Sequence, residues 1–217
     1  VTALRCAALS FSRCVVVVIG AALWRLYLSY TSAGDKATMG GMKPDKQTLQ
    51  FAGNVITVTT DEVVLPNGHR ALLEVVHHPG GAAVVALDAE QRVCLLRQYR
   101  YVADGWLWEL PAGKLEPGEA PLATAQRELT EEAGVSATHW RPLGTVLSSP
   151  GVFTERLHLF LASGICAVGS AHEHAEVIEI HWVPLEQAQR WALDGTIADC
   201  KTVIGVLRAQ QASRPTA

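Results

Sequence analysis

From about residue 48 the apolar positions recur with the two-residue period of strands. Asn54 to Leu65 and His69 to Val76 read as two strands, and Pro66-Asn67-Gly68 between them is a hairpin turn signal. Ala82 to Leu87 is apolar without a break, the pattern of a strand covered on both faces. Asp88 to Gln91 turns the chain, Arg92 to Tyr99 returns as a strand, and Trp106 to Leu110 delivers it to Pro111-Ala112-Gly113. The period then changes to that of a helix. Leu122, Ala125, Leu129 and Ala133 fall on one side of it, Pro121 suits its first turn, and Gly134 suits the left-handed residue just past its end. Strands follow near Trp140 to Leu147, Leu157 to Ser163 and Val177 to Trp182, then helices near Leu185 to Ala192 and Asp199 to Ala212. The order predicts an α/β fold in which a mixed sheet lies between helices, an α/β/α sandwich, with a small β-hairpin subdomain over 48–78 ahead of a main domain over 79–213.

The N-terminus follows a different pattern. Val15 to Trp24 is a ten-residue apolar run between Arg13 and Arg25, well short of the roughly 20 residues of a membrane span. It has the length of a signal-peptide core, yet no small-x-small cleavage site follows promptly. The chain begins with Val, and Met39 and Met42 stand just before the globular pattern. Residues 1–38 are therefore expected to lie outside the fold, with a membrane anchor and a signal peptide as the alternatives. Of the 217 residues, 49% are hydrophobic and 18% charged, a globular balance. The net charge of −3 gives no electrostatic reason to expect nucleic acid. Five scattered cysteines with no C-x-x-C pair argue against a disulfide framework or structural zinc and suit a reducing cytoplasm.

The chemistry concentrates on the predicted helix after Pro121. At about 100° per residue, Glu128 and Glu132 lie one turn apart and Glu131 sits beside them, next to the core stripe. Like charges at i,i+3 and i,i+4 cost a few tenths of a kcal/mol per pair, which a divalent cation would offset. Hard oxygens packed this closely suit Mg²⁺ or Mn²⁺ working on phosphates. Arg127 flanks the acidic stripe and can pair with Glu131 or a neighbouring carboxylate, orienting it. Gly113 and Gly118 allow a tight loop ahead of the helix.

The order Gly113, Glu119, Arg127-Glu128-Leu129, Glu131-Glu132, Gly134-Val135, at these spacings, resembles the Nudix box at every defined position. The resemblance implies a Nudix hydrolase domain that cleaves a nucleoside diphosphate linked to another group. Its magnesium (or manganese) would be held by Glu128, Glu131, Glu132 and the backbone carbonyl of Ala112. Gln98 to Gly113 is similar to the run that leads into the box in ADP-ribose pyrophosphatases, as is Pro150 placed fifteen residues after Val135. That resemblance makes Arg100 a phosphate ligand, Glu109 a carboxylate at the metal–phosphate cluster and Glu155 a substrate contact. The acidic segment Glu173, Glu176, Glu179 stands where the family has a mobile loop. Glu176 aligns with the general base, Glu173 is the second candidate and Glu131 the third. Trp106 or Trp108 offers a stacking face for adenine or fills the core.

The expected reaction is magnesium-dependent hydrolysis of ADP-ribose to AMP and ribose 5-phosphate by a cytoplasmic homodimer. A related sugar nucleotide such as GDP-mannose is the alternative substrate. A regulator that binds such ligands without cleaving them is the alternative class, but Lys201, Arg208 and Arg214 are too few cations for a DNA-facing C-terminal module.

Overall fold

The computed structural model describes residues 43–168 and 177–213. A first three-stranded antiparallel sheet has the order β1 (Lys46–Ala52), β2 (Thr57–Val64), β3 (Arg70–His77). The predicted hairpin joins β2 and β3: Gly68 has φ of 83°, and its N–H donates to the Leu65 carbonyl at 2.8 Å. Strand β1 was not foreseen. All seven of its residues are exposed, so it carries no inside–outside alternation that covers a core.

Two further sheets build the main domain. One has the order β10 (Ile178–Pro184), β5 (Arg92–Arg100), β6 (Gly105–Glu109), antiparallel throughout. The other has the order β7 (Ala112–Lys114), β4 (Gly81–Ala86), β9 (Arg156–Ala167), β8 (Val135–Leu147), with β4 and β9 parallel. Every residue of β4 is buried, as its unbroken apolar run requires. Its residues alternate between two cores. Ala82, Val84 and Ala86 pack with Ala125, Leu129 and Ala133 of α1 (Pro121–Ala133). Ala83 and Val85 pack with Ala188 of α2 (Leu185–Asp194) and with Val206 and Ala209 of α3 (Cys200–Ser213). The α/β/α sandwich is thus present, with the strands divided between two sheets rather than one.

Two smaller differences from expectation concern residues 112–114 and Leu122. Residues 112–114, expected as loop, form the short strand β7, because Gly81 lets its backbone approach β4: a Cβ there would come within 2.8 Å of the Gly113 carbonyl oxygen. Leu122, expected in the helix core stripe, is 38% exposed, while Thr124 and Ala125 are the buried residues of the first two turns. Of the two readings open for Trp108, the structure has the core one: it packs against Trp191 at 5.2 Å and His181 at 5.0 Å, under the Arg97 guanidinium.

Among the described residues no helix is long and apolar enough to cross a membrane; the Val15–Trp24 run, Cys6, Cys14 and Arg214 lie outside them.

Candidate active site

Helix α1 starts after Ala120, which offers no capping side chain, and has Pro at its first position. Glu119 does the anchoring instead. Its carboxylate accepts from Thr124 Oγ1 at 2.8 Å and from Arg127 Nε and Nη2 at 3.1 Å each. The bonds from Arg127, then from Thr124, hold the Glu119 carboxyl at about 2. Gly134 ends the helix at φ 65°, its N–H donating to the Thr130 carbonyl.

The rest of the Arg127 guanidinium reaches the acidic stripe. Nη1 donates to Glu128 Oε1 at 2.7 Å and to Glu131 Oε2 at 3.0 Å, and Nη2 reaches the Lys114 carbonyl at 3.4 Å. One cation therefore spaces two carboxylates and ties them to β7, and its own pKa is raised by these contacts, the Glu119 bond foremost. Glu132 Oε2 accepts from the Ala112 N–H at 2.7 Å, which sets that carboxylate beside the backbone at residue 112. Gly113 is dictated by the same crowding, since a Cβ there would overlap the Glu128 carboxylate.

Ala112, Glu128, Glu131 and Glu132 line one cavity of about 400 Å³, and Arg100 and Glu155 line it from other elements. The sequence-predicted metal and substrate residues are therefore brought together at this cavity, with one exception. Glu109 is 3% exposed and does not line the cavity; it sits behind it, accepting from Arg100 Nε at 2.7 Å, Arg100 Nη2 at 3.0 Å and Lys201 Nζ at 2.5 Å. Burial pushes its carboxyl up, and the Arg100 bond with the Lys201 charge more than reverses that, leaving it at about 2. Glu176 and Glu173 lie outside the described residues.

Lys201 and His78 are among the cavity residues that were not found from the sequence. Lys201, at the start of α3, bridges Glu109 and Asp199, the latter at 3.0 Å. Burial works against its charge, but Asp199 and Glu109 raise its pKa all the same. Asp199 also caps α3, accepting from the Thr202 N–H at 3.0 Å, which fixes the lysine's position. The D-x-K-T spacing, a cap followed by a cation, was the available signal. His78 lies in the β3–β4 loop.

The fit to a divalent cation rests on the donor set. Three carboxylates from one helix face line a cavity together, all hard oxygen donors, the chemistry of a magnesium site completed by water and phosphate. Among the described residues no three His, Cys, Asp or Glu side chains stand at ligand spacing. Arg127, between Glu128 and Glu131, and the Ala112 N–H, on Glu132, hold the carboxylates in that arrangement.

Comparison with known proteins agrees with this geometry. The NUDIX domain family model matches residues 77–200. A Mycobacterium tuberculosis protein named ADP-ribose pyrophosphatase is 37% identical over 158 residues, covering 71% of this chain and 76% of its own length. The Bacillus subtilis ADP-ribose pyrophosphatase is 36% identical, covering 72% of this chain and 85% of its own. A Bacillus methanolicus protein named methanol dehydrogenase activator is 37% identical over 166 residues, covering 75% and 90%. A solved structure described as an ADP compounds hydrolase shares the fold, with a TM-score of 0.68 at 20% identity, over 78% of this chain and 94% of that one. With Gly113, Arg127, Glu128, Glu131 and Glu132 lining one cavity and the family model matching residues 77–200, the chain belongs to the NUDIX domain family.

Proposed function

We propose that the protein hydrolyses the pyrophosphate of ADP-ribose, with magnesium at the box glutamates, giving AMP and ribose 5-phosphate. The observation that carries this reading is one cavity lined by Glu128, Glu131 and Glu132 together with Arg100, Glu155 and Lys201, acidic on one wall and partly cationic on another. The names of the relatives from M. tuberculosis and B. subtilis supply the substrate.

When bound, a hard divalent cation supplies positive charge against the developing charge of the pyrophosphate. The chain's own residues do the remainder. Arg127 bonds Glu128 and Glu131 through a single Nη1, so that their oxygens are presented together. Ala112 contributes its N–H to Glu132 and, by the family resemblance, its carbonyl to the cation. Arg100 spends Nε and one Nη2 hydrogen on Glu109, which leaves guanidinium donors for phosphate oxygens at the cavity. Glu176 is proposed, from the family resemblance, as the base that orients and deprotonates the attacking water.

The working protein is proposed to be a cytoplasmic homodimer. Leu49, Phe51 and Leu72 on the first sheet are all more than half exposed, apolar surface that suits a second copy. Cys94, Cys166 and Cys200 are free thiols, which suits a reducing compartment.

The test is a panel with Mg²⁺ of ADP-ribose, GDP-mannose and other nucleoside diphosphate sugars, with products separated by chromatography. The expected result is the highest kcat/KM on ADP-ribose. Binding of ADP-ribose without turnover would favour a regulator, and faster cleavage of GDP-mannose would move the substrate assignment.

A further inference from the structure

Opposite the acidic helix, the cavity wall is built from two loops that are far apart in sequence, and they are locked together. The Thr154 N–H donates to the Val76 carbonyl at 3.0 Å, and the His78 N–H donates to Thr154 Oγ1 at 3.1 Å. Gly80 makes the close approach possible: its φ is +87°, and a Cβ there would come within 2.8 Å of the Arg156 carbonyl oxygen. The result places two side chains next to each other, each less than one-fifth exposed, with His78 Nδ1 3.2 Å from Glu155 Oε1. Both line the cavity that holds the box glutamates.

The bonding at Nδ1 fixes what the other ring nitrogen can offer. The Gly80 N–H donates to Nδ1 at 3.1 Å, which requires a lone pair there and puts the proton of the neutral ring on Nε2. A protonated ring carries a proton on both nitrogens, so that Nε2 keeps its proton in that state as well. Nε2 is therefore a donor in both states, and it has no hydrogen-bond partner among the described residues, nor is it a buried unpaired atom. The wall thus presents an N–H donor beside a carboxylate acceptor. This pairing matches neighbouring hydroxyls, one accepting and the next donating, and is unsuited to a further phosphate, which Glu155 would repel.

We propose that His78 is a specificity-determining residue that donates from Nε2 to a hydroxyl of the sugar on the distal phosphate, with Glu155 accepting from its neighbour. The assignment rests on the nucleoside diphosphate sugar reading above. It makes the sugar, and not only the pyrophosphate, part of what the site recognises.

The test compares ADP-ribose with the β-methyl ester of ADP, which keeps the pyrophosphate and lacks the sugar. In His78→Ala the ratio of kcat/KM on ADP-ribose to that on the methyl ester should fall about 10- to 100-fold, mostly through KM for ADP-ribose. His78→Gln retains an N–H donor and should recover most of the ratio, and Glu155→Gln should lower it on its own. If His78→Ala does not fold, as judged by its thermal transition, the two glutamine variants carry the comparison. Equal losses on both substrates, or an unchanged ratio, would overturn the assignment. A wild type that cleaves the methyl ester but not ADP-ribose would overturn the underlying substrate reading, and this one with it.

Discussion

Replacing Glu109 by glutamine should destabilise the protein before it affects any chemistry. The carboxylate is 3% exposed and is shared by Arg100 and Lys201 at 2.5 to 3.0 Å. Glutamine keeps the shape but leaves the two cations without their common anion. Its native carboxyl sits at about 2, against an ordinary 4.5. That difference corresponds to about 3 kcal/mol of stability, and breaking a buried ion pair costs a similar amount, about 3–5 kcal/mol. Because the native pKa is depressed, the contribution is fully present above pH 4.5 and is lost as pH falls towards about 2. Urea unfolding of wild type and Glu109→Gln should therefore differ by about 3 kcal/mol at pH 7, or roughly 6–12 °C in Tm. The gap should narrow steadily between pH 4.5 and pH 3. A difference below about 1 kcal/mol at pH 7, or one that does not change with acid, would refute the reasoning. Lost turnover with unchanged stability would instead return Glu109 to the metal–phosphate cluster.

Three further outcomes follow from the same contacts. Gly113→Ala should cut turnover by at least about 10-fold, because its Cβ displaces the Glu128 carboxylate; steady-state kinetics at saturating Mg²⁺ would measure this. Arg127→Lys loses the fork that joins Glu119, Glu128 and Glu131, and should lower both Tm and kcat; a kcat within about twofold of wild type would contradict its orienting role. A chain beginning at Met39 should fold and keep full activity, as measured by thermal unfolding and turnover, since among the described residues every one that lines the cavity follows it.

Much of this architecture was legible because it was written in local signals. Pro121, the helical spacing of Ala125, Leu129 and Ala133, and Gly134 define α1 almost to the residue. The apolar run at 82–87 announces a strand covered on both sides, and β4 is one. Strand β1 escaped because none of its residues is buried, so composition had no pattern to impose on it. The metal-side carboxylates were readable from spacing on one helix, but what their neighbours do was not. Arg100 and Glu109 were both found, yet their bidentate pairing depends on how β5 and β6 lie side by side. Lys201 lies 92 positions from Glu109, and Thr154, which holds the His78 backbone, lies 76 positions from it; only the folded chain brings these together.

The central claim is tested most directly by incubating the wild type and Glu132→Gln with ADP-ribose, with and without Mg²⁺, and quantifying AMP and ribose 5-phosphate. The account predicts equimolar products from the wild type with Mg²⁺ only, and a folded Glu132→Gln protein slower by about two or more orders of magnitude. Turnover that persists without a divalent ion, or a folded Glu132→Gln protein that works at the wild-type rate, would contradict it.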